Sequence, residues 1–165
     1  MLLVGVSVPH TVAAYATTAQ SASRLTDIHA LFTITYRFGH GSRDMYLPAA
    51  TAWNLKQDAS EKLLGYEVMT DDETVTNGIT TAGIVFSNAQ LVHSQYFIPA
   101  GETREFTFTT IIRTQPETTE AEYNLGVTNL PFQMGVDAKI YQQGLNQFEL
   151  SNYQTPTVTL NPTNS

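Results

Sequence analysis

From Ile28 to Phe38 the chain alternates without a break. Ile28, Ala30, Phe32, Ile34, Tyr36 and Phe38 fall on one side, and His29, Leu31, Thr33, Thr35 and Arg37 on the other. A period of two residues is that of a β-strand with one buried and one mostly solvated face. Glu105–Arg113 (EFTFTTIIR) repeats the pattern, with Phe106 and Phe108 on one face and Thr107 and Thr109 on the other. The pair Ile111-Ile112 breaks the alternation and predicts a bulge or a change of face.

The rest of the chain follows the same grammar. Gly39-His40-Gly41-Ser42 closes the first strand as a turn. Met45-Tyr46-Leu47 runs into Pro48, which suits a short edge strand or its end. Ala52–Gln57 and Leu63–Met69 are expected as strands around a turn at Asp58-Ala59-Ser60, with one helical turn around Asp58–Leu64 as the alternative. Asn77-Gly78 carries the hairpin signature. Gly83–Val92 is expected to be extended. Phe97–Glu102 predicts a turn, with Pro99 fixing φ early and Gly101 closing it. Tyr123–Thr128, Ala138–Tyr141 and Thr157–Leu160 complete about seven or eight short strands, with turn signals roughly every 8–15 residues. No amphipathic helix of ten or more residues is present, which removes the α/β classes. The expected fold is all-β, a two-sheet antiparallel sandwich whose inward residues form one core. Phe32, Ile34, Phe106 and Phe108 are expected at its centre.

A chain of 165 residues fits one domain. Charged residues make up 14% against about 25% in an average soluble domain, and 24 threonines fill the gap with neutral polarity. Eight basic residues scattered over a chain of net charge -7 argue against a nucleic-acid or anionic-lipid partner. The absence of Cys removes disulfides, thiol catalysis and Cys-based zinc sites.

Residues 1–16 (MLLVGVSVPHTVAAYA) carry no acidic or basic side chain and end in Ala14-Tyr15-Ala16, a small-x-small cleavage pattern. They predict a truncated secretory signal peptide, since the usual positive start is missing. The alternative is a first β-strand, because Val4, Val6 and Val8 alternate with Gly5 and Ser7. Residues 17–27 then form a flexible lead, 28–160 the sandwich and 161–165 a disordered tail. The apolar stretch is shorter than the roughly 20 residues of a membrane-spanning helix. The product is expected to be secreted or held at the cell surface, with no membrane insertion after signal removal.

At Ala30–Pro48 (ALFTITYRFGHGSRDMYLP) and Ile98–Thr109 (IPAGETREFTFT) the sequence resembles an immunoglobulin-like sandwich domain of bacterial cell-surface proteins. Phe148–Pro156 fits the same kind of secreted protein. The resemblance covers roughly residues 28–160 and consists of strand and turn patterns. It implies an immunoglobulin-like β-sandwich with an adhesive, spacer or accessory role, and it implies no activity. The Cys-Trp-Cys core of antibody domains is absent, and Trp53 is the one candidate for the core Trp.

The chemistry-bearing residues are sparse. Of the four histidines, His10 leaves with the signal, His29 lies on the strand pattern and His93 near a strand end. His40, Ser42 and Asp44 share one turn, and no metalloprotease or serine-hydrolase motif accompanies them. Asp71-Asp72-Glu73 is the weak calcium candidate, since hard oxygen ligands suit Ca²⁺. The alternating acidic loop pattern is missing, so a solvated acidic loop is the plainer reading. Glu117, Glu120 and Glu122 form a second such loop. Trp53, Tyr46, Tyr66, Tyr96, Tyr123, Tyr141 and Tyr153 could stack on sugar rings if two or three shared a face. No N-glycosylation sequon occurs.

The expected function is a non-enzymatic interaction or structural module without a cofactor, calcium aside. Its partner is a protein or a surface glycan. The alternatives are a carbohydrate-binding module and a filament subunit assembled by strand donation.

Overall fold

The computed structural model describes residues 14–49, 53–54, 64–70, 73–74, 80–114, 120–135, 140–144 and 153–162. Thirteen strands lie among them, and no α-helix. They are β1 (Ala14–Arg24), β2 (His29–Gly39), β3 (Met45–Pro48), β4 (Trp53–Asn54) and β5 (Gly65–Thr70). Next come β6 (Glu73–Thr74), β7 (Thr80–Ser87), β8 (Gln90–Val92) and β9 (Gln95–Ile98). The last are β10 (Thr103–Arg113), β11 (Ala121–Met134), β12 (Ile140–Gly144) and β13 (Val158–Leu160).

Two sheets form. A four-stranded antiparallel sheet has the order β1-β2-β10-β7. The larger sheet runs β4-β5-β11-β3-β9-β8, with β12 and β13 also on β11 and β6 on β5. Its pairs are antiparallel except β4 with β5.

The two strongest alternating segments are neighbours. β2 and β10 pair without a register shift, from Thr103 opposite Gly39 to Arg113 opposite His29. Ala30, Phe32, Ile34, Phe38, Phe106, Phe108 and Ile112 are fully buried on the shared inner face. The larger sheet answers with Tyr66, Val68, Leu125, Val127 and Leu130. Tyr66 meets Phe108 at a ring-centroid distance of 5.0 Å, and Phe38 meets Phe132 edge-on at 5.4 Å. Burying aromatic rings of this size, each worth about 1.5–3 kcal/mol, holds the layers together.

Ile111 and Ile112 do not bulge. The alternation continues through them, with Ile112 buried and Ile111 turned outward at 44% exposure. Pairing on both sides of β10 fixes the pleat, so one of two adjacent isoleucines must face out.

The flexible lead expected over 17–27 is replaced by strand through Arg24. β1 pairs with β2 from Ala14 opposite Gly39 to Arg24 opposite Ala30, with a register shift between Thr17 and Ala19. Its composition is weakly apolar, yet Tyr15 and Ala22 pack on the core. Backbone pairing to a well-formed β2 supplies the rest. The strand runs through the position of the expected cleavage site after Ala16. Leu25–Ile28 forms the connecting turn, where the Thr26 hydroxyl accepts from the backbone N–H groups of Ile28 and His29.

At the other end, the segment before β13 is stitched to β11. Thr155 N donates to the Leu125 carbonyl at 2.8 Å, and Leu125 N donates to the Thr155 hydroxyl at 3.0 Å. That exchange satisfies a buried threonine. The tail expected from 161 begins in place. The Asn161 amide donates to Glu120 at 2.8 Å, and Pro162 is buried.

Candidate functional site

Asp71 and Asp72, the calcium candidates, lie outside the described residues. Glu73 stands in β6 opposite Thr70. Among the described residues no group of three or more His, Asp or Glu side chains is placed to hold a metal ion. Glu117 is outside the described residues, while Glu120 and Glu122 are exposed at the start of β11.

The His40 cluster is a turn assembly. His40 sits at φ 59°, its N–H donates to the Glu102 carbonyl at 2.7 Å, and its Nδ1 lies 3.3 Å from the Gly101 carbonyl. Asp44 Oδ1 accepts from the Ala100 N–H at 2.9 Å. Both side chains tie the loop after β2 to the turn at Pro99–Glu102. There Glu102 N donates back to the Pro99 carbonyl, and Gly101 has φ 75°. Gly39, at φ 143°, is required, because a Cβ there would fall on the Glu102 carbonyl oxygen. His29 is committed to Thr26, with Nδ1 2.8 Å from its hydroxyl.

The aromatic candidates divide. Tyr66, Tyr123 and Tyr153 are buried. Tyr96 points inward, its ring edge-on to Phe106 at 5.7 Å. Tyr46 pairs across strands with Phe97 at 5.3 Å, but their planes are tilted by 43°, so they do not make a flat platform. The side chains of Trp53 and Tyr141 lie outside the described residues.

The residues that sequence reasoning missed are on the outer face of the four-stranded sheet. Phe86 is 56% exposed and Ile84 52%. Registers place Phe86 beside Thr107, Thr35 and Ala19, and Ile84 beside Thr109, Thr33 and Ser21. Ile111 lies beside Leu31 and Ser23 in the next row. The Thr35 and Thr107 hydroxyls are 3.3 Å apart, and those of Thr33 and Thr109 3.5 Å. Charge occurs only at the two ends, as Arg37 opposite Glu105 and Arg113 opposite His29. The centre is thus neutral, part hydroxyl and part apolar, on a chain of net charge -7. The signal was present in Gly83–Ser87, where Ile84 and Phe86 alternate with Val85. Both sets are apolar, so the pattern cannot say which side faces the core.

Between the sheets a cavity of about 10 Å³ is lined by Tyr36, Leu47, Pro48, Leu64, Val85, Phe106, Leu130 and Pro131. A space of that size has room for about one water and takes no ligand. No helix among the described residues is long and apolar enough to cross a membrane.

No family model and no curated protein matches the chain. A solved structure titled "Crystal structure of protein from Archaeoglobus fulgidus" aligns with 88% of this chain and 97% of its own. The identity is 7% and the TM-score 0.41, a likeness too distant to carry an argument.

Proposed function

We propose that the chain is a non-enzymatic interaction module, secreted or displayed at the cell surface, that binds a protein partner through the outer face of its four-stranded sheet. The observation that carries this reading is the exposure of Phe86, Ile84 and Ile111 on one neutral face. Interface cores are depleted of charge and enriched in aromatic side chains, and their rims are polar. On this face Phe86 and Ile84 lie along the β7 margin and Ile111 beside them on β10, with Arg37, Glu105 and Arg113 at the strand ends. The hydroxyls of Thr33, Thr35, Thr107 and Thr109 both donate and accept, so they fit the mixed polarity of a protein surface.

The finer fold assignment belongs to the same proposal. The order β1-β2-β10-β7 corresponds to the A-B-E-D sheet of an immunoglobulin-like domain, and β3 beside β11 corresponds to C beside F. The sandwich of seven or eight main strands would then be this frame, with the shorter strands as additions. A glycan ligand is the weaker reading, because Tyr46 and Phe97 are not coplanar.

The test is retention of the purified protein on envelope preparations from the cells that produce it, wild type beside Phe86→Lys and Ile84→Lys. Retention of the wild type with about a tenfold or greater loss in either variant is expected, since a buried interface aromatic is worth about 2 kcal/mol or more. Equal retention of all three overturns the assignment of the face. Loss of wild-type retention after glycosidase treatment, but not after protease, moves the glycan reading ahead.

A further inference from the structure

We propose that Arg113 and His29 form a carboxylate-binding pair at one end of the partner face, and that the protein docking there brings an acidic side chain to it. The inference rests on the reading of that face as the interface and names what the partner must carry.

The arginines of the two-sheet frame are not equivalent. Arg24 is paired with Asp27, and Arg104 with Glu102. Arg37 stands opposite Glu105, so the charges at that end of the face offset each other. Arg113 is exposed at the end of β10. Its register neighbours are His29 on β2 and Thr80 on β7, neither of them acidic. Among the described residues no carboxylate is paired with it. The face therefore carries one uncompensated cation, on a chain of net charge -7. Next to it along β10 is exposed Ile111, opposite Leu31. An arginine bordering apolar side chains is a common anchor in protein interfaces.

His29 adds a second donor. The Thr26 hydroxyl accepts from the N–H groups of Ile28 and His29, at 3.2 and 2.9 Å. Both acceptor positions of that oxygen are then filled, so its one proton is donated to His29 Nδ1, 2.8 Å away. Nδ1 is the acceptor, and the ring proton sits on Nε2. Directly opposite residues of an antiparallel pair share a face, with Cβ atoms about 4.5–5.5 Å apart. The Arg113 guanidinium and the His29 Nε2–H are thus neighbouring donors on one side of the sheet.

A carboxylate, with two acceptor oxygens and no donor, is the protein group that suits such a pair. At the Arg37 end the same group would meet Glu105 as well, so the partner is oriented with its acid toward Arg113. One arginine is too little charge for a polyanion, which is held by many basic side chains.

The test uses the same envelope preparations, untreated and with their carboxylates amidated by a carbodiimide. Arg113→Gln is expected to lower retention roughly threefold to tenfold and to flatten its salt dependence. Arg104→Gln, already paired with Glu102, is expected to behave as wild type. Amidation is expected to bring wild type down to the level of Arg113→Gln and to leave that variant unchanged. Wild-type retention by Arg113→Gln, with loss in Phe86→Lys, overturns the carboxylate pair and leaves the face standing. Wild-type retention by Phe86→Lys overturns the face itself, and a wild type that is not retained at all overturns both. Loss in Arg113→Gln without any effect of amidation identifies a phosphate-bearing surface and also overturns the proposal.

Discussion

The Tyr96 hydroxyl and the Val85 carbonyl join the two sheets at their margin, with an O–O distance of 3.2 Å. Tyr96 belongs to β9 in the larger sheet, and Val85 to the edge strand β7 of the smaller one. Tyr96→Phe keeps the ring contact with Phe106 and removes only the donor. The carbonyl is then unpaired, at a cost of about 1 kcal/mol. Urea unfolding should show a lower midpoint with an unchanged slope, because the buried surface stays the same. A variant as stable as wild type would mean that the hydrogen bond contributes nothing net.

Tyr15 and Tyr36 make stability fall in alkali. Burial pushes the Tyr15 phenol up to about 12, against a smaller lowering by its hydrogen bond with Thr17. Burial raises Tyr36 further, with Tyr15 and Tyr96 adding to it. The folded state therefore holds protons that the unfolded chain releases from about pH 10 upward. With more protons bound when folded, stability decreases as pH rises, by up to about 1.4 kcal/mol per pH unit for each tyrosine. The contribution is whole below pH 10, and the Tyr15 share is used up near pH 12. Thermal midpoints between pH 9 and 12 should drop steadily, and Tyr15→Phe should make that drop shallower. An unchanged slope in Tyr15→Phe would show that Tyr15 ionises freely in the folded protein.

The strands that organise the core were legible because their two faces differ chemically. Phe32 and Ile34 against Thr33 and Thr35 leave one solution for the pleat, and the same holds for Phe106 and Phe108 against Thr107 and Thr109. β1 was not legible, since Thr17, Thr18, Gln20, Ser21 and Ser23 carry no face of their own. Its place comes from β2, a long-range partner that local composition cannot reveal. The candidate face was hidden for the opposite reason, because Ile84, Val85 and Phe86 are all apolar. Only pairing with Thr107 and Thr109 shows that Phe86 and Ile84 look outward. The His40, Ser42 and Asp44 turn was correctly placed by its glycines, but the His40 and Asp44 side chains serve the turn at Pro99–Glu102.

The hairpin between β8 and β9 runs on a two-residue loop, His93-Ser94, with Val92 opposite Gln95. Both residues have positive φ, 49° and 64°. That is the demand of a type I′ turn, normally met by Asn-Gly. A side chain held in the left-handed region costs roughly 1–2 kcal/mol, while glycine loses roughly 0.5–1 kcal/mol more backbone entropy on folding. Ser94→Gly should thus stabilise by several tenths to about 1 kcal/mol, and His93→Asn by less. Calorimetry would register a rise of a few degrees in Tm. A lower Tm for Ser94→Gly would mean that the serine side chain holds the turn by a contact of its own.

Thr128 sits where β11 shifts register against β5, between Val127 and Asn129. Its hydroxyl oxygen is buried and finds no hydrogen-bond partner among the described residues. A buried hydroxyl without a partner costs about 1–3 kcal/mol of desolvation. Valine has the same branched shape with a methyl in place of the hydroxyl, and it suits a strand equally well. Thr128→Val should therefore raise stability by about 1 kcal/mol in chemical denaturation, with no change in the slope. Thr128→Ser keeps the hydroxyl and loses the methyl, so it should be less stable than wild type. If valine destabilises as much as serine does, the hydroxyl is satisfied in solution and the shift in β11 depends on it.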